Sequence, residues 1–394
     1  MIKYVISAYC ALILSLGTIA QQTVIDGVLQ SIEVNNPGLK AYDAYLQTQA
    51  LANKAENNVA NPQAVGYYLP FGEHMGSDYM EFQISQTIEF PSVYASRHKL
   101  NVERDEGLKI EYSKLRQEVL LKAQSLLYEL IYLQQQKQFA EKRMVQGDTI
   151  LQQTQTLYDK GQIGILELNK AKVAWLQSQF AVEEIETERQ AIQMALQGMN
   201  GGNTLSFEGS SYPTSLHLPS VDSIWQQRLY SDAELLVLQK DREVAEQNIK
   251  LEKNKVLPDL SAGYNYQGVA GSNYSGIYAG LSIPLWGNRA KVKTAKAELQ
   301  QHEQQAQART FEIENQFRTD YQRYELLLKK FTEYEQSLDG LNSEALLLKS
   351  YELGEIAFLD YFREVQFYRE AIDTKLSIEK EMYQLRAKLF KHQL

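Results

Sequence analysis

Proline is scarce in this chain of 394 residues, and its placement narrows the possible folds. Only 8 prolines occur, none of them between Pro91 and Pro213 and none after Pro284. A helix interior excludes proline, whereas an all-β fold needs frequent turns. Two proline-free stretches, each of more than a hundred residues, therefore predict long helices and argue against an all-β protein.

Cysteine and basic clusters are also lacking. The single Cys10 excludes a disulfide framework and every metal or redox motif that needs several cysteines. The net charge is -9 and no Lys/Arg block occurs, so we expect no nucleic-acid partner. The sequence has no phosphate-binding Gly-x-x-x-x-Gly-Lys loop and no Gly-x-Ser-x-Gly nucleophile elbow. His302 lacks the second histidine of a zinc helix, and His74 with Met75 is too small a ligand set. We expect no catalytic residue, no cofactor and no metal site.

Residues 1–20 have the form of a secretory signal. Lys3 precedes an apolar run that ends at Leu16, and small residues lead to Ala20. The run is shorter than the ~20 residues of a spanning helix, although an N-terminal membrane anchor is the alternative interpretation. No later stretch approaches that length. If the mature protein spans a membrane, it must do so with β-strands that close into a barrel, because lipid offers backbone groups no other partner.

The chain contains two similar halves, a pattern that predicts two structural repeats. Matching residues recur at a constant offset of 193: Ile84 with Ile277, Pro91 with Pro284, Tyr158 with Tyr351, Gly161 with Gly354, Ile163 with Ile356 and Leu166 with Leu359. Each half has a Tyr/Gly/Ser-rich stretch, a proline, a long helical pattern, a Tyr-x-x-Gly turn and a second helical pattern.

The long helical patterns carry coiled-coil spacing. Apolar residues step by three and four from Leu108 to Leu133 and from Phe317 to Leu348. Helices from about Arg97 to Asp159 and from about Arg289 to Ser350 would each be ~90 Å long. Glutamines dominate the remaining faces, which would meet either a water-filled bore or bulk solvent around an ordinary coiled coil.

Short stretches with a period of two predict strands. Asp259–Gln267 and Tyr274–Ile283 form one predicted pair joined by an outer loop at 268–273, and Asp78–Phe90 alternates similarly in the first half. These lengths are close to the ~9–11 residues of a transmembrane strand, with one apolar and one polar face. Four strands cannot close a barrel, so a membrane-spanning form must be oligomeric. The aromatic residues at the strand ends fit either a membrane-interface belt or packing beneath a soluble hairpin: Tyr67, Tyr68, Phe90 and Trp286.

This combination resembles the outer-membrane efflux channel family, the TolC family. The most specific segments are Tyr158–Glu167 and Tyr351–Asp360, together with Leu257-Pro258 before a strand and Ile283–Arg289 at the strand-to-helix passage. The resemblance covers essentially the whole mature chain. It implies a mainly α fold with a small β part: a trimer whose long antiparallel coiled-coil helices form an α-helical barrel and whose strands form one twelve-strand transmembrane β-barrel.

The resemblance divides the chain into seven segments: signal peptide 1–20, N-terminal helices 21–66, first strand pair 67–91, first helical hairpin 92–198, linker and entry helix 199–257, second strand pair 258–284 and second helical hairpin 285–394. It also implies an outer-membrane location in a Gram-negative bacterium, with the helical part in the periplasm.

The resemblance also places candidate functional residues at the hairpin tips. Asp360 would line a closed entrance, with Glu167 at the equivalent place in the first half; Arg363 stands where a second aspartate is often seen and could instead pair with Asp360. A solvated acid in the first turn of a helix is the alternative role for Asp360. The remaining candidates are the adaptor-docking tips Gly161, Gln162, Ile163, Gly164, Gly354, Glu355 and Ile356, and the strand-to-helix junctions Pro91, Pro284 and Gly287. The tip glycines could alternatively serve only to make the turn.

The functional expectation is a passive exit duct of a tripartite efflux system for small molecules or metal ions. A periplasmic adaptor (membrane fusion) protein, an inner-membrane pump and outer-membrane lipid would be its partners. The alternative is a periplasmic coiled-coil scaffold or adaptor without a membrane-spanning part. A scaffold has no reason to carry alternating strand pairs in both halves.

Overall fold

The computed structural model describes residues 24–70, 79–213, 216–269, 271–286, 288–339 and 343–394. The predicted signal peptide, the pair His74 and Met75, and Gly287 lie outside these ranges. The protein is mainly helical with one small sheet, which confirms the predicted fold class at that level. The elements are α1 (described from 24 to 35), α2 (Pro37–Glu56), β1 (Gln63–Leu69), β2 (Tyr79–Ile88), α3 (Pro91–Asp159), α4 (Ile165–Met199), α5 (Val221–Ser231), α6 (Ala233–Asn254), β3 (Asp259–Val269), β4 (Ser272–Ser282), α7 (Asn288–Leu338), α8 (Ser343–Glu352), α9 (Phe358–Leu389) and a short 3₁₀ turn (Lys391–Gln393).

The chain forms two compact units. Of the described residues, the first unit contains those up to Lys40, Leu115–Arg228 and Glu314–Leu394, and the second contains Ala41–Lys114 and Leu229–Ile313. Helices α3 and α7 contribute residues to both units. None of the described helices is both long and apolar enough to cross a membrane.

Helix α3 runs for 69 residues without a break. It starts at Pro91, ahead of the predicted Arg97, because the fixed φ of proline suits the first helical position, where no N–H partner is needed. Its end at Asp159 agrees with the prediction. The second long helix is divided: α7 ends at Leu338 and α8 begins at Ser343, where one helix to Ser350 was expected. Gly340, a poor helix former, lies in the sequence between them.

The helical core of the first unit follows the predicted spacing in part. Phe317, Tyr324 and Phe331 are buried, each one heptad from the next. On α3, residues of the predicted stripe are buried together with others on neighbouring faces. This wider burial means that α3 packs against more than one neighbour within the unit.

A tyrosine cluster fixes the segment between α4 and α5 to the helices of the first unit. The rings of Tyr212 and Tyr383 stack with their centroids 4.5 Å apart. The Tyr212 hydroxyl donates to the carbonyl of Tyr128 at 3.1 Å, and the Tyr383 hydroxyl donates to the carbonyl of Pro213. These bonds satisfy polar groups that burial would otherwise leave unpaired.

The four strands form one antiparallel sheet in the second unit, in the order β1-β2-β3-β4. The strand pair of the first half therefore joins that of the second half through β2 and β3, from Tyr79 opposite Val269 to Ile88 opposite Leu260. Strand β1 starts at Gln63, before the predicted boundary at 67.

The outer loop predicted at 268–273 is wrong. Gly268 pairs with Asn273, so β3 and β4 continue through most of that range to Val269 and Ser272. Gly271 has a φ of 84°, a conformation that glycine adopts without strain, and this permits a tight turn. The hydroxyl of Tyr266 also bonds to the side-chain oxygen of Asn273 at 2.9 Å.

An ion cluster ties α3 to α6 in the second unit. The ammonium of Lys240 donates to carboxylates of Glu103, Glu106 and Glu243 at 2.6, 2.6 and 2.9 Å. Burial lowers the pKa of Lys240, but the three hydrogen bonds outweigh it and leave the pKa raised. The three carboxylates therefore keep this nearly buried lysine charged.

Candidate functional site

Two helix-to-helix turns in the first unit have the same backbone geometry. Gly161 follows α3 with a φ of 70°, and Gly354 follows α8 with a φ of 73°. In the first turn the N–H of Gly161 bonds to the carbonyl of Tyr158 at 2.8 Å, and the next N–H bonds to Leu157 at 2.9 Å. The second turn repeats both bonds, from Gly354 to Tyr351 and from the next residue to Ser350. Together these bonds form a Schellman motif, in which the left-handed residue is usually glycine.

The two turns differ in how the following helix begins. In the first turn of α4, the Glu167 carboxylate accepts a bond from the Gly164 N–H at 2.9 Å, which satisfies one free donor of the helix start. In the first turn of α9, the equivalent Asp360 instead accepts from the Arg363 guanidinium at 3.2 Å. The pairing of Asp360 with Arg363, which the sequence left open, is therefore present within one chain.

The predicted tip residues lie together on the surface. Gly161, Gln162, Gly164, Gly354 and Glu355 are exposed, whereas the two isoleucines of the tips are half-buried. Ile356 packs against an apolar cluster at the base of the turn. The tips thus present backbone and polar groups to solvent, and Ile356 anchors the second tip to the apolar cluster.

An apolar cluster holds the two hairpins to each other. Phe358, Tyr361 and Val365 of α9 are buried against Ile150 of α3 and Ala171 of α4. The sequence did not single out these contacts, because they join residues that are distant along the chain.

One polar contact accompanies the cluster. The hydroxyls of Thr154 and Tyr351 are 3.2 Å apart, and Thr154 is fully buried. The tyrosine of the second Tyr-x-x-Gly turn therefore contacts the helix of the first hairpin. The repetition of the Tyr-x-x-Gly motif in both halves was the sequence feature that could have pointed to Tyr351.

An apolar groove of about 460 Å³ opens beside this cluster, between α4 and α9. Leu166 and Leu359, which occupy equivalent positions of the two halves, both line it and are largely exposed. Val173, Phe358 and Phe362 complete its apolar wall. Exposed leucines at both tips are typical of a surface that contacts a partner.

The sheet of the second unit has one apolar and one polar face. Cross-strand pairing places Ile84, Tyr264 and Ile277 in one row on the first face, as the predicted alternation requires. These side chains are exposed, Ile277 by 90%. An exposed apolar face of this kind indicates contact with lipid or with another protein.

The opposite face carries a polar network. Glu81 accepts hydrogen bonds from the Tyr79 hydroxyl at 2.6 Å, from Asn265 at 2.8 Å and from Gln267 at 3.4 Å. Gln83, on the same face, donates to the Tyr278 hydroxyl at 2.6 Å. The two faces therefore suit a wall between an apolar and an aqueous medium.

The strand-to-helix junctions differ between the halves. Pro91 begins α3 directly after the two residues that follow β2, and Arg97 bonds to both oxygens of Glu89 at 2.8 and 2.6 Å. Pro284 lies in a longer passage between β4 and α7. Within the ranges given above, no group of three or more side chains could hold a metal ion.

Comparison with known proteins identifies the fold. No family model matches the chain, and no curated protein matches it either. Solved structures match over nearly its whole length. The transmembrane-channel protein CusC has a TM-score of 0.76 at 13% identity, covering 93% of this chain and 92% of its own.

Two further solved structures, both of outer-membrane proteins, also match the chain. The outer membrane channel CmeC of Campylobacter jejuni has a TM-score of 0.71 at 14% identity, covering 93% of this chain and 85% of its own. The outer membrane protein VceC of Vibrio cholerae has a TM-score of 0.70 at 13% identity, covering 95% and 96%. The resemblance noted in the sequence is thus confirmed at the level of the fold.

Proposed function

We propose, from the fold that this chain shares with outer-membrane channels, that it is the outer-membrane channel of a tripartite efflux system. It would act as a passive trimeric exit duct for small molecules or metal ions, with its helices in the periplasm. The observation that carries the proposal is the exposed apolar face of the sheet, on a chain that matches channel structures over 93% of its length. No catalytic step is assigned to it.

The sheet supports membrane insertion through its dimensions and its two faces. Strands β2, β3 and β4 have 10, 11 and 11 residues, close to the ~9–11 of a transmembrane strand. The row through Ile84 and Ile277 would face lipid, and the face with Glu81 would line the aqueous lumen.

The edges of the sheet support a trimer. Strands β1 and β4 lie at the two edges, where a strand offers unpaired backbone groups to another chain. Four strands are fewer than the ~8 of the smallest barrels, so several copies are needed. Three copies that pair β1 of one chain with β4 of the next would form a closed barrel of twelve strands.

The hairpin tips would form the periplasmic entrance. Three copies of Asp360 and Arg363 around one axis would make a ring of paired charges that controls ion passage. The exposed tips, with the apolar groove beside Leu166 and Leu359, would dock a periplasmic adaptor that links the channel to an inner-membrane pump.

The same observations disfavour a periplasmic scaffold. A scaffold could use the long helices, but an apolar sheet face in water is a liability for aggregation. The alternative also leaves the polar network around Glu81 on the opposite face without a purpose.

Cell fractionation and particle mass test the proposal. The full-length protein, produced with residues 1–20 included, should sediment with outer membranes and resist extraction by carbonate. After extraction in a non-ionic detergent, light scattering should give three chains per particle. A protein that is released in the soluble periplasmic fraction as a monomer or dimer would favour the scaffold instead.

A further inference from the structure

One row of side chains crosses all four strands near one end of the sheet, on its polar face. The row, in which each residue lies opposite the next, consists of Tyr67 of β1, Glu81 of β2, Gln267 of β3 and Tyr274 of β4. Directly opposite residues share a face, with their Cβ atoms about 4.5–5.5 Å apart. We call these four residues the Glu81 row. It lies two residues from the start of β2 at Tyr79, at the end of the sheet remote from α3 and α6.

Neutral groups hold the carboxylate of this row in place. Glu81 accepts hydrogen bonds from the Tyr79 hydroxyl at 2.6 Å and from the side-chain amides of Asn265 and Gln267 at 2.8 and 3.4 Å. None of these three donors carries a charge. The bonds therefore fix the position of the carboxylate and leave its negative charge on the polar face.

The charge of the four strands is entirely acidic. Their described residues include two charged side chains, Glu81 and Asp259, and no Lys, Arg or His. Asp259 lies on the same face as Gln267, because the two are an even number of residues apart on β3, but at the opposite end of the sheet. There it lines a recess together with Arg97 and Lys255. The Glu81 row contains no basic side chain, so its charge is available to a cation from outside the sheet.

Two exposed aromatic rings accompany the carboxylate in its row. The side chains of Tyr67 and Tyr274 are 54% and 65% exposed. An aromatic face attracts a cation placed over it, and the attraction is larger when the cation has shed its water. A quaternary ammonium ion meets that condition, whereas a strongly hydrated metal ion does not. The combination of one carboxylate with ring faces therefore favours an organic cation.

The trimer proposed above would repeat the row around the lumen. Three copies would supply three carboxylates, each with two tyrosine rings in its row. A ring of carboxylates attracts cations and repels anions. Because the proposed channel has its helices in the periplasm, this end of the sheet would face the outside of the cell, and an exported molecule would pass it last.

We propose that the Glu81 row binds organic cations of the quaternary ammonium type at the outer exit of the channel, and that such cations are among the molecules it exports. This inference rests on the proposed channel function and names a class of its substrates. Glu81 supplies the attracting charge, and Tyr67 and Tyr274 supply the ring faces.

Reversal potentials in a gradient of tetramethylammonium chloride test the charge. Recording in planar bilayers from Asp360→Ala protein removes the other proposed ring of carboxylates. In that background, Glu81→Gln, which keeps the size of the side chain, should lower the preference for the cation over chloride by roughly two-fold or more. Glu81→Asp keeps the charge and should keep the preference. Ser85→Ala is the matched control: this uncharged residue lies on the same face, four residues along β2, and its change should have no effect.

Block of the potassium current by benzyltrimethylammonium tests the ring faces. Tyr67→Leu and Tyr274→Leu should each weaken the block by about two- to five-fold, as expected for an exposed cation–π contact. The corresponding phenylalanine variants keep the ring and should keep the block. Benzenesulfonate, which has an aromatic ring and the opposite charge, should not block. Leucine variants that are blocked as strongly as their parent would overturn the role of the tyrosines.

The outcomes separate this inference from the channel function. Protein that inserts and conducts, but whose selectivity and block do not change with Glu81→Gln, would overturn the inference and leave the channel function in place. Wild-type protein without current would overturn both. If the Glu81→Gln variant does not insert, the Asp360→Ala protein with its native strands decides. Equal block by benzyltrimethylammonium and benzenesulfonate, or no block by either, would then contradict the proposal.

Discussion

Replacing Ile277 by Arg is expected to abolish outer-membrane insertion. Ile277 is the central residue of the eleven-residue strand β4, and its side chain is 90% exposed on the apolar face of the sheet. An arginine that faces lipid at mid-bilayer depth costs roughly 2–4 kcal/mol, so three copies in a trimer cost roughly 6–12 kcal/mol. Because the native side chain makes little contact within the chain, the loss should come from the membrane and not from the fold.

The neighbouring residue supplies the control. Gly276 lies on the opposite face of the same strand, and a Cβ atom added there would meet no other atom within 4 Å. Gly276→Arg should therefore insert, because its charge would lie in the aqueous lumen. Ile277→Leu should insert normally.

The measurement is the fraction of each variant that resists carbonate extraction from outer membranes, with helix content from circular dichroism as a check on folding. If Ile277→Arg inserts as well as Gly276→Arg, the apolar face does not meet lipid. In that case the sheet would not be membrane-spanning, and the periplasmic scaffold hypothesis would be favoured.

Opposite changes in ion selectivity are expected from the two charges at the second hairpin tip. Asp360 and Arg363 form an exposed pair on the first turns of α9. Asp360→Ala removes three carboxylates from the proposed entrance, so conductance should rise and the preference for cations should fall by roughly two-fold or more. Arg363→Ala leaves the carboxylates unpaired and should raise the preference for cations.

Salt dependence distinguishes this charge effect from a change of shape. The screening length grows from ~10 Å at 0.1 M salt to ~30 Å at 0.01 M, so the differences between variants should be larger in dilute salt. Asp360→Glu keeps the charge and should behave like wild type. Reversal potentials in a salt gradient give the selectivity directly. Alanine variants that match wild type in both conductance and reversal potential would show that Asp360 and Arg363 do not contribute to the gate.

Local rules explain why the turns and strand faces could be predicted. The Tyr-x-x-Gly turns follow from one stereochemical requirement, a left-handed residue at the helix end, and Gly161 and Gly354 meet it. Strand parity is equally local, because successive side chains alternate between faces; Ile277 therefore lies where the pattern placed it.

Features that depend on distant contacts could not be predicted. The pairing of β2 with β3, for instance Phe82 opposite Tyr266, joins the two halves without any local signal. A cleft lined by Arg143 of α3 and Arg369 of α9 likewise requires the packing of helices that are distant along the chain. The outer loop was predicted too long because Gly268 and Asn273 have the composition of a loop but pair within the sheet.

Single-channel recording of the purified wild-type protein in planar lipid bilayers tests the central claim most directly. A trimeric duct closed at the Asp360 tips should insert and give a small, stable, cation-selective current in discrete steps. Well-folded protein that inserts without current, or that does not enter the bilayer, would contradict the proposal that this chain forms a membrane channel.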